Sequence, residues 1–149
     1  MVRLAAACMC MLIVLGSASN ARAQQRPGFI PKDATESARC VPALGDVYWN
    51  PAKLPFGPTY GAYKGRPIFE EFMISQKDFA HGRNWQNIQV PIGGSKIDHV
   101  DIWFVPHGHP GAEQPHYDVI LSYVPHAQHM KICNPSGALP SFVLHNRSR

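Results

Sequence analysis

Hydrophobic and polar residues alternate along two segments in the second half of the chain. Residues 97–105 read IDHVDIWFV, residues 116–124 read HYDVILSYV, and the ten residues PHGHPGAEQP join them. Period-two alternation places successive side chains on opposite faces of a strand, so the pattern predicts a long β-hairpin. We expect its apolar face to lie against the core; this face carries Val100, Ile102, Phe104, Tyr117, Val119, Leu121 and Tyr123.

The middle of the chain predicts a strand followed by a short helix. Residues 67–74 (PIFEEFMI) are mostly apolar and have the length of a strand. Ser75 can cap a helix that starts after it, because Asp78 stands at the position that completes a capping box. Gly82 is the residue expected to end this helix.

The remaining segments predict short elements. Residues 40–66 are rich in proline, glycine and aromatic residues, which favours turns and short extended pieces, and residues 84–91 can form another strand. Pro125 can begin one helical turn that places His126 and His129 on the same side. Together the segments predict a β-rich α+β fold: a twisted antiparallel sheet or small barrel with one or two short helices.

The start of the chain has the pattern of a cleavable signal peptide, residues 1–23. An apolar run of 12 residues, 4–15, follows a positively charged start, and residues 17–23 (SASNARA) end in the small-residue pattern of a cleavage site. The run is shorter than the about 20 residues that span a bilayer, so we expect no membrane span in the mature chain. We predict an exported protein, periplasmic or secreted, with a flexible lead-in over 24–39 and a single globular domain over 40–149.

The mature chain would retain two cysteines. Cys8 and Cys10 lie in the predicted signal peptide, which leaves Cys40 and Cys133. In an oxidising compartment these two most simply form a disulfide, with buried free thiols as the alternative. The bond would close a loop of 92 intervening residues.

The charge of the chain argues against nucleic-acid binding. The full sequence carries a formal net charge of +4, and loss of Arg3 and Arg22 with the signal peptide leaves +2. Basic residues cluster only at Arg147 and Arg149. Without a basic stripe or patch, we expect no nucleic-acid partner.

Histidine is the residue type that carries candidate chemistry. Six of the eight histidines lie between residues 99 and 129. Imidazole nitrogens with a carboxylate suit Zn²⁺, Cu²⁺ or Fe²⁺, whereas Ca²⁺ and Mg²⁺ prefer oxygen ligands. An Asp beside a strand histidine can also fix its tautomer. The candidate ligands are His107, His109 and His116, completed or oriented by His99, Asp101 and Asp118.

Three functions remain open at this point. The first is metal binding by the hairpin, and the second is a non-metal module that binds a small ligand or a protein through its aromatic residues and its histidine face. The third is a metal-dependent enzyme, because His107, His109 and Glu113 resemble part of the first cupin motif. Asp101 stands where that motif has a glycine, and the second cupin histidine motif is missing. The sequence indicates no particular reaction.

The segment from His99 to Tyr123 also resembles the signature of a TTHB-type family of exported bacterial domains of unknown function. That signature is a histidine, an aromatic approach, P-H-G-H-x-P and P-H-F-D-x-H. The matching residues are His99, Pro106, His107, Gly108, His109, Pro115, His116 and Asp118, with Tyr117 as the aromatic residue. Ile120 stands where the signature has its last histidine, so a ligand at that position would be lost here. The resemblance implies export and a shared fold, and it implies no reaction.

Overall fold

Six antiparallel strands form one sheet in the computed structural model, which describes residues 26–90 and 94–144. The predicted signal peptide lies outside the described residues. The strands are β1 (Thr35–Val41), β2 (Gly45–Trp49), β3 (Thr59–Tyr63), β4 (Arg66–Ser75), β5 (His99–Val105) and β6 (His116–Ser122). The helices are α1 (Gln76–Ala80), α2 (His126–His129) and α3 (Ser141–Leu144), with a 3₁₀ turn at Pro51–Lys53. No helix in the described ranges is long and apolar enough to cross a membrane.

The order of strands in the sheet is β1-β2-β3-β4-β6-β5, so β1 and β5 are its edges. Within the described residues the sheet does not close into a barrel. The predicted β-rich α+β class is therefore confirmed, with the open sheet as the correct form.

The strand and helix predicted in the middle of the chain are confirmed as β4 and α1. The Ser75 hydroxyl accepts a hydrogen bond from the Asp78 backbone N–H at 3.3 Å, as a helix cap requires. Gly82 follows the helix with φ of +71°, a conformation that glycine adopts without steric cost. The strand predicted over 84–91 is wrong for its described part, since residues 84–90 contain no strand.

The predicted hairpin is confirmed as β5 and β6, but the predicted core face is wrong. Val100 and Ile102 are 52% and 66% exposed, whereas Trp103, Asp118 and Ile120 are buried. Because side chains alternate along a strand, the His/Asp side of the hairpin is the one that faces the interior. Alternation shows which residues share a face; it does not show which face the rest of the chain will cover.

The C-terminal segment covers this buried face. Met130 and Ile132 pack in the main hydrophobic cluster with Ile68, Phe69 and Ile120. The Ala43 backbone N–H donates to the Ile132 carbonyl at 2.8 Å, and Cys133 forms the predicted disulfide with Cys40. The segment is thereby fastened to β1, at the sheet edge opposite β5, and β6 is covered by it.

The predicted flexible lead-in, residues 24–39, differs from the structure where it is described. β1 begins at Thr35 inside it, and Ile30 and Ala34 are buried in a second cluster with Tyr48 and Tyr60. The side chains of β1 are exposed almost throughout, so this strand has no apolar alternation that a sequence pattern could reveal. Pairing of β1 with β2 and the burial of Ile30 and Ala34 hold the segment in place instead.

Candidate metal centres

Two groups of histidine and aspartate side chains lie on the covered face of the sheet, within the described residues. His109, His116 and Asp118 form one, which we call the hairpin group. His99, Asp101 and His126 form the other, which we call the edge group because β5 is an edge strand. In each group, one possible ligand atom from every residue lies within 4.8 Å of the others.

The hairpin group combines one strand with the loop before it. His116 and Asp118 are two residues apart on β6, so both point to the covered side, and each is at most 2% exposed. His109 comes from the loop between β5 and β6, where it exchanges two backbone hydrogen bonds with Ala112 at 3.0 and 2.9 Å. Gly108 has φ of +67°, which turns the chain so that His109 returns toward β6.

Hydrogen bonds to backbone carbonyls determine the tautomers of the two histidines. His116 Nδ1 lies 2.6 Å from the Gln114 carbonyl oxygen, and His109 Nδ1 lies 3.1 Å from that of Pro110. A carbonyl oxygen can only accept, so each Nδ1 carries a hydrogen and each neutral ring presents a lone pair at Nε2.

Three electron-pair donors therefore meet in the hairpin group. His116 Nε2 lies 3.2 Å from His109 Nε2 and 3.0 Å from Asp118 Oδ1. Asp118 Oδ1 is buried and has no hydrogen-bond partner of acceptable geometry among the described residues. Three acceptors at these distances require a cation between them, either a proton or a metal ion.

The pKa values of His116 and Glu71, at the hairpin group, are shifted from their ordinary values. Burial, the largest influence, lowers the pKa of His116, but the adjacent Asp118 carboxylate and the Gln114 carbonyl outweigh it and leave the pKa raised. Burial and the neighbouring Asp118 carboxylate raise the pKa of Glu71 well above its ordinary value. The Thr59 hydroxyl donates to Glu71 Oε2 at 2.6 Å. Glu71 and Asp118 are thus a pair of carboxyl groups with His116 beside them, and such an arrangement can hold a cation or share a proton.

An apolar cavity opens beside the hairpin group. Its volume is about 280 Å³, and Glu71, His109 and Asp118 line it together with a larger set of apolar side chains. These include Val41, Leu44, Val47, Trp49 and Phe142. A cation in the hairpin group would have space next to it for a water molecule or a small ligand.

The edge group is centred on one carboxylate oxygen. His99 Nε2 and His126 Nδ1 each lie 3.3 Å from Asp101 Oδ2, and His129 Nδ1 lies 3.6 Å from the same atom. His99 Nδ1 lies 3.1 Å from Asp98 Oδ1. This outer carboxylate can orient the His99 ring and leave Nε2 free to act as a ligand.

His129 is the most deeply buried member of this neighbourhood. Its side chain is 0% exposed and its ring stacks on Trp103, with centroids 6.0 Å apart and planes 9° apart. Burial lowers the pKa of His129 to about 4, against the attraction of the Asp101 carboxylate and with the help of His99 and His126. The ring is therefore neutral at pH 7, the form that binds metals.

The residues predicted from the sequence divide between the two groups. His109, His116 and Asp118 meet in one, and His99 and Asp101 belong to the other. His107 is exposed and lies in neither group. His107 and His109 would project to the same side only from an extended backbone, which the positive φ of Gly108 excludes.

The cupin-like combination does not assemble, and two candidate ligands are not among those predicted from the sequence. Glu113 Oε1 accepts a hydrogen bond from the Gly111 backbone N–H at 3.3 Å and belongs to neither group. One of the two is His126, a member of the edge group, and the other is His129, which lies beside that group, although their spacing after Pro125 predicts a shared side. Only the packing of α2 over β5 reveals that this side faces Asp101.

Comparison with solved structures finds a protein of similar sequence and fold. No protein-family model matches the chain, and no curated protein matches it significantly. The crystal structure of the hypothetical protein TTHB210 from Thermus thermophilus is similar, with 27% identity and a TM-score of 0.55. The match covers 66% of this chain and 94% of that one. The similarity extends through sequence and fold, and it supports the resemblance of this chain to a TTHB-type family of unknown function.

Proposed function

We propose that this protein binds a divalent transition-metal ion through His109, His116 and Asp118. The observation that carries the proposal is the convergence of His109 Nε2, His116 Nε2 and Asp118 Oδ1, with neighbouring atoms 3.0–3.2 Å apart. Both rings already donate their Nδ1–H groups to carbonyls, so the atoms that meet are electron-pair donors.

The composition of the hairpin group determines the class of ion. Two imidazoles and one carboxylate suit Zn²⁺, Cu²⁺ or Fe²⁺, and three protein ligands leave a coordination position open. The apolar cavity beside the group supports an open coordination position, because it provides space there for a water molecule or a small organic ligand. Metal-dependent binding of a small molecule would combine the first two functions considered from the sequence.

Export is part of the same proposal. The predicted signal peptide, residues 1–23, would direct the chain out of the cytoplasm, to the periplasm or the medium. The Cys40–Cys133 disulfide supports this localisation, since such bonds persist mainly in oxidising compartments. Metal binding at the hairpin group would then take place outside the cytoplasm.

The test is a zinc titration of the mature protein, purified without an oligohistidine tag and stripped with EDTA. Bound zinc is measured by equilibrium dialysis and elemental analysis for the wild type and for His109→Ala. Loss of an outer-sphere partner alone costs about 10–100-fold in affinity, so removal of a ligand should weaken this site by at least about 100-fold. We expect His109→Ala to bind one zinc ion fewer per chain at micromolar free zinc.

His81→Ala is the matched control, because His81 is exposed and lies outside both groups. It should bind as much zinc as the wild type. Unchanged zinc binding by His109→Ala would show that the cation in the hairpin group is a proton, and the proposal would be abandoned.

A further inference from the structure

Helix α2 brings two histidines onto the edge strand of the sheet. Pro125 precedes the helix, and its carbonyl accepts hydrogen bonds from the backbone N–H groups of Gln128 and His129 at 2.8 and 2.9 Å. His126 and His129 are three residues apart, so their rings project from the same side of the turn. Both rings reach Asp101, which lies on β5.

Two of the three histidines around Asp101 stand at the spacing expected of ligands to one metal ion. A tetrahedral zinc ion holds nitrogen and oxygen ligands at about 2.0–2.1 Å, which places neighbouring ligand atoms about 3.3–3.4 Å apart. His99 Nε2 and His126 Nδ1 each lie 3.3 Å from Asp101 Oδ2, and the three residues each offer a ligand atom within 4.8 Å of the others. His129 Nδ1 lies 3.6 Å from Asp101 Oδ2, but His129 does not belong to this group and lies beside it.

Hydrogen bonding within the protein does not account for this arrangement. Among the described residues, His99 Nε2, Asp101 Oδ2 and both ring nitrogens of His129 are buried without a hydrogen-bond partner of acceptable geometry. An unpaired buried polar atom costs about 1–3 kcal/mol, so four of them close together need an explanation. A cation bound between His99 and Asp101 would satisfy two of the four at once.

The surroundings keep the rings in place for binding. Asp98 Oδ1 lies 3.1 Å from His99 Nδ1, on the side of the ring away from Asp101. Trp103 stacks on His129 and limits rotation of its ring. His126 is different, because its side chain is 59% exposed. An ion could enter from solvent at His126 and exchange with free metal.

We propose that His99, Asp101 and His126 form a second metal site, which binds a divalent transition-metal ion such as Zn²⁺ or Cu²⁺. The site stands independently of the hairpin group, with which it shares no residue. A bound ion would fasten α2 to the edge strand, because His126 belongs to the helix and the other two ligands belong to β5. Three protein ligands leave one position of a tetrahedral ion for water, which reaches this site from the exposed side at His126, whereas the hairpin group lies beside an apolar cavity.

The test uses the EDTA-stripped mature protein with Zn²⁺ or Co²⁺ alone as the probe. We expect the wild type to bind two zinc ions, and His126→Ala and Asp101→Asn to lose one of them with an affinity at least about 100-fold weaker. His126 is largely exposed, so its substitution should leave folding intact, which far-UV circular dichroism would verify. Because both proposed sites would bind Co²⁺, its visible absorption should fall in His126→Ala and, separately, in His109→Ala, and it should be unchanged in His81→Ala.

The same variants separate this inference from the proposed function. A wild type that binds one zinc ion, lost in His126→Ala and kept in His109→Ala, would support the edge site and refute the hairpin site. The reverse pattern would overturn the inference. If His126→Ala and Asp101→Asn both bind as much zinc as His81→Ala, with the same affinity, no metal is held at Asp101.

Discussion

Acid should destabilise the metal-free protein through His129. The side chain is fully buried and has a pKa of about 4, whereas the unfolded chain would protonate this residue near its ordinary value of 6.5. Below pH 6.5 the unfolded state therefore binds a proton that the folded state does not, and stability falls as the pH drops from 6.5 toward 4. Above pH 6.5 both states hold a neutral ring and the residue adds no pH dependence.

The magnitude follows from these two values. Each unit of pKa difference corresponds to about 1.36 kcal/mol, so acidification from about pH 7.5 to about pH 5 should remove about 2 kcal/mol through His129 alone. His116 acts in the opposite direction, since its pKa is raised in the folded protein and its protonation stabilises the fold below its unfolded pKa. The contribution of His129 must therefore be measured as a difference between two proteins.

His129→Leu provides that difference, because leucine fills a similar volume beside Trp103 and cannot titrate. The free energy of unfolding is measured by urea denaturation at about pH 7.5 and about pH 5, with EDTA present, for both proteins. The wild type should lose about 2 kcal/mol more than the variant over this interval. Equal losses in the two proteins would refute the reasoning. They would show that His129 is protonated in the folded protein, or that water reaches its ring there.

Two further predictions concern the hairpin and its loop. Gly108→Ala should destabilise the protein more than Gly65→Ala: both residues have positive φ, but a Cβ at Gly108 would lie 2.4 Å from the Ala112 carbonyl oxygen, whereas Gly65 has no atom within 4 Å. Urea denaturation should show about 1 kcal/mol for Gly65→Ala and at least twice that for Gly108→Ala, with equal costs contradicting the loop geometry. Ile102→Ala should cost less than about 1 kcal/mol and Ile120→Ala about 2–5 kcal/mol, because Ile102 is exposed and Ile120 is fully buried. Similar costs for the two isoleucines would mean that the hairpin faces have been exchanged.

Local elements could be predicted from the sequence because their causes are local. The Ser75 cap and Gly82 define α1 within eight residues, and alternation defines β5 and β6 within nine residues each. The disulfide followed from elimination, since only Cys40 and Cys133 remain after the predicted signal peptide. Each of these inferences needed only nearby residues or a count.

The features that the sequence did not reveal depend on long-range packing. Whether Ile102 or Trp103 faces the core is decided by where residues 125–133 pack, which no pattern in the hairpin records. For the same reason His126 could not be predicted as a ligand together with Asp101: the two residues are 25 positions apart in the sequence and belong to different elements. The ligand set predicted as one centre divides in two because of the antiparallel register. His99 and Asp101 lie opposite Ser122 and Ile120, whereas His116 and Asp118 lie opposite Val105 and Trp103, farther along the strands.

Ile120 is a close neighbour of residues in both groups. It pairs with Asp101 on β5 and with Glu71 on β4, and it is buried two residues after Asp118. Its buried apolar side chain therefore lies on the same face of β6 as Asp118 and beside the part of β5 that carries Asp101.

The Cys40–Cys133 bond also closes residues 40–133 into a covalent ring. Every histidine and aspartate of the two groups lies within that ring, between residues 99 and 129. A single proteolytic cut between α1 and β5 would open the backbone without separating the fragments, since the bond and the β4–β6 pairing would still join them. The nicked chain would keep both sets of side chains on one molecule, whereas reduction after the same cut would leave only noncovalent contacts to hold the halves together.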